Sequence, residues 1–106
     1  MNSKYYHEME KKDRLIRIYD GDKLSAIITY FLGDRDNRVG MWEIPTEDKT
    51  SAILTIDHLI SKLEEKNTKI IFAIWRNIKI ILKEKHPHIK KIKWLRAGKG
   101  ERYATV

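Results

Sequence analysis

Between Lys90 and Tyr103 the chain interleaves cations with an aromatic ring and two glycines: Lys90, Lys91, Lys93, Arg96, Lys99 and Arg102 surround Trp94, with Gly98 and Gly100 at the tip. On a strand Lys91, Lys93 and Leu95 share one face, while Ile92, Trp94 and Arg96 share the other. Cationic groups beside an aromatic plane, next to a tip whose amides allow close approach, can grip phosphates and stack a base. The same pattern also describes a sheet edge, with Ile92 and Trp94 in the core and lysines that discourage further pairing. A second chemical candidate is His58, which follows Asp57 in sequence. It reads either as a general base held by a carboxylate or as an ordinary surface histidine. His86 and His88 flank Pro87. A spacing of two does not converge on one helix face, and no third ligand lies nearby, so no metal centre is expected.

Charge narrows the field further. The net charge is +7, and it is unevenly placed. Residues 1–66 hold 11 basic and 13 acidic side chains, and residues 67–106 hold 11 and 2. The positive field therefore belongs to the last third of the chain, where it implies either a solvated lysine-rich surface or a polyanionic partner such as nucleic acid or a phosphate-bearing ligand. There are no cysteines, which excludes disulfides and thiolate chemistry. No GxSxG, P-loop or GxGxxG occurs, so the better-defined hydrolase and nucleotide-binding signatures are absent. No apolar run has the length of a membrane span and the amino terminus has no signal-peptide pattern, so a cytoplasmic protein with no membrane partner is expected.

These side chains need a scaffold, and the strongest scaffolding signal is residues 68–85. Ile70, Ile71, Ile74, Trp75, Ile78, Ile81 and Leu82 recur on one face of a 3.6-residue helix. Residues 68–74 alone are rich enough in Ile and Phe to read as a strand, but the unbroken period favours one helix, ended by Pro87. Ahead of it, residues 15–19 and 24–32 form β-rich runs around an Asp-Gly turn, predicting an antiparallel hairpin. The second run is apolar on both faces, as a covered central strand should be. Residues 39–44 predict a third strand. Asp48 and Thr50 are N-cap candidates for a helix carrying Ala52, Ile53, Ile56, Leu59, Ile60 and Leu63. Residues 89–96 and 101–106 close the chain as a hairpin, and residues 1–13 are an arm or a short helix. With 106 residues this is one α+β domain: an antiparallel or mixed sheet of about five strands, ordered β-β-β-α-α-β-β, with two helices packed on it.

That order, with a Trp42 strand feeding a capped helix and a closing hairpin, resembles a shortened Gcn5-related N-acetyltransferase (GNAT) fold, of the kind found in small phage and mobile-element proteins. The resemblance covers residues 14–106 and implies an acyltransferase-like domain of unknown substrate that binds acetyl-CoA or another acyl-CoA. In that family a Gln/Arg-x-x-Gly-x-Gly/Ala turn at a helix N-terminus receives the pyrophosphate. The matching segment here is residues 46–52, TEDKTSA, which has no glycine and carries Glu47 and Asp48. By resemblance, Glu43 is a base candidate in addition to the His58 read above, Thr50 and Ser51 supply the phosphate amides, and Asn77, if residues 68–74 form a separate strand ahead of the helix, stands where the family uses an asparagine at the cofactor. A splayed pair of central strands, with a cleft beside residues 46–51, should accompany them. Two other functions compete: a nucleic-acid-binding accessory protein that uses Lys91, Lys93, Arg96, Lys99 and Arg102, and a protein-protein interaction module.

Overall fold

The computed structural model describes residues 3–61, 68–96 and 100–106. The element order is α1 (Ser3–Lys11), β1 (Leu15–Asp20), β2 (Lys23–Leu32), β3 (Ile53–Ser61), α2 (Thr68–Lys85), β4 (Lys91–Arg96) and β5 (Gly100–Thr105). The α+β class and the five-stranded mixed sheet are as the sequence predicts. The strands lie in chain order, β1-β2-β3-β4-β5. Every neighbouring pair is antiparallel except β3 and β4, which are parallel because α2 carries the chain back between them.

The first hairpin turns on two residues, Gly21 and Asp22, with Asp20 opposite Lys23. Gly21 has φ +61°, a value that an L side chain adopts only at a cost, which is why the turn uses glycine. Strand β2 is the centre of the molecule. Ile28, Tyr30 and Leu32 face α2 and join Ile16, Leu54, Ile78, Leu82, Ile89 and Ile92 in the main core. On the opposite face α1 buries Tyr5, Tyr6 and Met9 against Leu15, Ile27, Ile44 and Ile60. The two helices thus cover opposite faces of the sheet. Each fully buried apolar side chain contributes about 1.5–3 kcal/mol, so these two clusters provide most of the driving force for folding.

Helix α1 ends in a Schellman motif. The Arg14 amide donates to Met9 O at 2.8 Å and the Asp13 amide to Glu10 O at 3.0 Å, while Asp13 takes φ +58°. Helix α2 is continuous from Thr68 to Lys85, so the strand alternative for residues 68–74 falls away. Ile78 and Leu82 are buried in the main core, with Trp75 and Ile81 packed at its margin. The rest of the predicted stripe, Ile70, Ile71 and Ile74, has side chains outside the described residues.

Two predicted elements are corrected. Residues 39–44 do not form a strand. The Arg38 guanidinium occupies the carbonyls of Met41, at 3.3 Å, and Glu43, at 2.9 Å, and Glu43 N–H closes a turn onto Gly40 O at 3.2 Å. With those backbone groups engaged, no ladder can form there. The helix predicted from residue 52 is strand β3 instead. Asp48 and Thr50 do not cap a helix: Asp48 Oδ1 accepts from the Thr50 amide at 3.0 Å and its hydroxyl at 2.6 Å. Asp offers the same acceptor to an Asx turn as to an N-cap, and here the turn launches a strand. The order is therefore α-β-β-β-α-β-β rather than β-β-β-α-α-β-β.

Candidate functional site

Strand β3 carries a bulge that brings two chemically active residues to one face. Thr29 lies opposite His58, whereas the next position on β2, Tyr30, lies opposite Ile56. Asp57 is therefore the extra residue of the bulge, and both Asp57 and His58 face α1 where regular pleating would have opposed them. The His58 amide, left without its usual ladder partner, donates to Thr29 Oγ1 at 3.1 Å.

A directed chain of hydrogen bonds starts there. Tyr5 has one hydroxyl proton, and the Asp57 carboxylate can only accept, so Tyr5 donates to Asp57 Oδ2. The 2.8 Å contact between Tyr5 and Thr29 must then be a donation from the threonine hydroxyl. The backbone of β3 thus donates to Thr29, Thr29 to Tyr5 and Tyr5 to Asp57, each bond polarising the next. Arg38 completes the site with a two-pronged grip on the same carboxylate, Nη2 to Oδ1 at 2.5 Å and Nη1 to Oδ2 at 2.8 Å. It also binds Asp36 through Nε and Nη2, at 2.8 and 2.7 Å. Hydrogen bonding to Asp36 and Asp57 raises the Arg38 pKa against the opposing effect of burial, and the Arg38 contacts hold Asp36 below the usual carboxylate range. Burial, reinforced by the bond to Asp57, pushes the Tyr5 hydroxyl well above its ordinary value.

His58 sits in an aromatic bracket. Its ring stacks on Trp42 with centroids 4.5 Å apart and meets the edge of Tyr5 at 5.0 Å. Nε2 lies 3.0 Å from Met41 O; a carbonyl only accepts, so Nε2 carries the proton and Nδ1 is the acceptor of the neutral ring. Asp57 Oδ1 is 3.9 Å away from Nε2, and its oxygens are already engaged by Arg38 and Tyr5. The carboxylate that steadies His58 in the sequence reading therefore steadies Arg38 instead.

The other sequence-predicted residues are dispersed. Glu43 is exposed on the loop after Arg38, and Asn77 is exposed on α2. Thr50 and Ser51 lie in the turn before β3, not at a helix N-terminus, so the geometry expected for a pyrophosphate turn is absent at that place. Among the basic residues, Lys93 is neutralised by Asp34 at 3.1 Å and Glu101 at 3.2 Å, and Lys91 lies 6.0 Å over the Tyr103 ring. Both are on the face opposite α2, whereas Arg102 pairs with Trp94 on the α2 side, so one flat ligand cannot meet all three. The Arg96 side chain and Lys99 lie outside the described residues. Sequence reasoning missed Tyr5, Thr29 and Arg38; the only local signal was the spacing of Tyr5, Tyr6 and Met9, which marks a helix face.

Beside this cluster the sheet parts. β3 and β4 pair at only three positions, Ile53 with Lys91, Leu54 with Ile92 and Thr55 with Lys93. Beyond Thr55 and Lys93 the two strands share no rung among the described residues, although β3 runs to Ser61 and β4 to Arg96. The splay opens at the carboxyl ends of these strands, away from residues 46–51, where the cleft was expected. Leu59 on one arm and Leu95 on the other are 56% and 75% exposed. Among the described residues no helix is long and apolar enough to cross a membrane. No family model, curated protein or solved structure matches the chain.

Proposed function

We propose that this chain is a small GNAT-like acyltransferase domain that takes an acyl-CoA at the splay between β3 and β4. The observation that carries the reading is the three-rung parallel pairing: two strands joined at one end and parted toward their carboxyl ends, the side on which sheets of this kind receive ligands. His58 lies on the stretch of β3 beyond the last rung, with Nδ1 as an acceptor, and is the base that removes a proton from an attacking amine as the thiol of coenzyme A departs. Glu43 has no comparable place. The phosphate contact assigned to Thr50 and Ser51 by resemblance passes to the amino end of α2, the helix that begins beyond β3.

Calorimetric titration with acetyl-CoA, and separately with DNA and RNA over a salt series, tests this. Saturable acetyl-CoA binding supports the reading, and Leu59→Glu placed on the splay should weaken it with little change in melting temperature. Nucleic-acid affinity that falls steeply with salt, with no response to acetyl-CoA, would instead favour the basic hairpin as the functional surface.

A further inference from the structure

We infer a second ligand site, for a small tetrahedral oxyanion such as phosphate or a phosphomonoester, in the pocket at the opposite end of the sheet from the splay. The pocket has a volume of about 330 Å³ and lies between the α1–β1 turn, the end of β2, the loop before β3 and the exit of α2. That volume is at the small end of the range for ligand sites and suits one compact ligand.

Its walls are fixed by polar contacts. Tyr30 donates its proton to Asp13 O at 3.0 Å, so the 3.1 Å contact with His86 Nε2 is a donation from the imidazole. Burial holds the His86 pKa below its ordinary value; Glu47 opposes this most, Lys85 and His88 add to it and Asp13 opposes it. Arg14 donates through Nη1 to Pro45 O at 2.8 Å. Its buried Nε has no hydrogen bond, and Glu47 Oε2 is a long 3.4 Å away.

The balance of charge selects the ligand. Both acids in the wall are already engaged. Asp13 pairs with Lys85 at 2.7 Å, and Glu47 Oε2 accepts from the Leu32 amide at 2.9 Å while facing Arg14. Among the described residues Lys12 and Lys49 have no ion-pair partner, and the Nη2 of Arg14 has no protein acceptor. Two ammonium groups and a guanidinium prong around a small cavity match an anion that offers several acceptor oxygens at once. Lys12 and Arg14 flank Asp13, the sole described non-glycine residue with positive φ, so the Schellman turn of α1 delivers both cations to the same wall. Tyr30 and Leu32 line this pocket from the opposite face of β2 to the one that His58 shares with Thr29, and the inference does not depend on the acyltransferase reading.

The test is calorimetric titration of the full chain with inorganic phosphate at constant ionic strength, with acetate and chloride as separate arms. Saturable phosphate binding in the low-millimolar range or tighter is expected. The double variant Lys12→Gln/Lys49→Gln should lose about tenfold in affinity. Both positions are exposed, so its melting temperature without phosphate should match wild type. Heats no larger than those of chloride, acetate binding as tight as phosphate, or unchanged affinity in the double variant would each overturn the inference. The control Lys91→Gln/Lys93→Gln should bind phosphate normally; an equal loss there would mean that general positive charge, not this pocket, attracts the anion. Acetyl-CoA binding at the splay should survive the Lys12→Gln/Lys49→Gln change, which separates the two sites.

Discussion

Arg38 and Asp57 form a two-pronged ion pair that joins the loop over β3 to the sheet, with side chains only 8% and 6% exposed. Neither residue belongs to a run of apolar periodicity, yet the pair ties the middle of residues 34–52 to β3, while Arg14 at Pro45 O and Glu47 at the Leu32 amide hold its end. Removing one partner leaves a buried charge without its counterpart. Arg38→Ala should therefore cost about 3–5 kcal/mol in denaturant unfolding, and Arg38→Lys should recover only part, because an ammonium cannot grip both oxygens. Arg38→Leu/Asp57→Leu should be milder than Arg38→Ala alone. A loss below about 1 kcal/mol in Arg38→Ala would show that the loop is held by other contacts.

The tyrosines set an alkaline limit. Burial raises the pKa of Tyr5, Tyr6 and Tyr30 above the ordinary value of 10.0. Their folded pKa values exceed the unfolded ones, so the folded chain holds more protons above pH 10 and stability falls as pH rises. The contribution is whole below about pH 10 and is lost on the way to the folded values. Thermal melts from pH 8 to 11 should show a decline that is shallower in Tyr5→Phe, although that variant starts about 1–3 kcal/mol lower because Asp57 loses a donor. An equal slope in both proteins would remove Tyr5 from this account.

The phase of α2 is tested by two neighbours. Leu82 is fully buried and Ile80 is 53% exposed. Leu82→Ala should cost about 2–5 kcal/mol, and Ile80→Ala should change stability by about 0.5 kcal/mol or less. Similar costs at both positions would mean that the helix is rotated from this placement.

The ring of Trp75 is only partly buried and meets the edge of Trp94 at 4.9 Å. A double-mutant cycle on the pair should return a coupling of about 0.5–1.5 kcal/mol beyond the separate losses of area. Strict additivity would place the two rings apart in solution.

The parts of the fold that sequence made legible are those with regular periods. The Gly21 turn, the two-sided burial of β2, the α2 stripe through Ile78 and Leu82 and the closing hairpin all follow local rules. The error at residues 52–63 has a specific cause. Leu54 and Ile56 keep strand alternation, but the extra residue Asp57 shifts the phase, so that Ile60 lies on the opposite face from Ile56. A strand with one bulge then places apolar residues at Ile53, Ile56, Leu59 and Ile60, a spacing that also fits a helix. The candidate site was less legible still. Tyr5, Thr29, Arg38 and Asp57 are separated by up to 52 residues, and only the tertiary fold brings them together. The apolar neighbours Val39 and Met41 give the Trp42 segment the texture of a strand, yet they are 99% and 61% exposed.

Three rungs are a slender seam across the middle of a sheet. On one side lies the three-stranded meander with α1 and its polar clamp; on the other is the terminal ribbon, with Ile92 and Trp94 packed against α2. Protection of amides against deuterium exchange should divide along that line, with β4 and β5 becoming labelled together under mild denaturant while β1 and β2 stay closed. The proposed acyl-CoA site would then border the weaker half of the molecule, and an occupant that bridged both halves would merge them into a single unfolding transition.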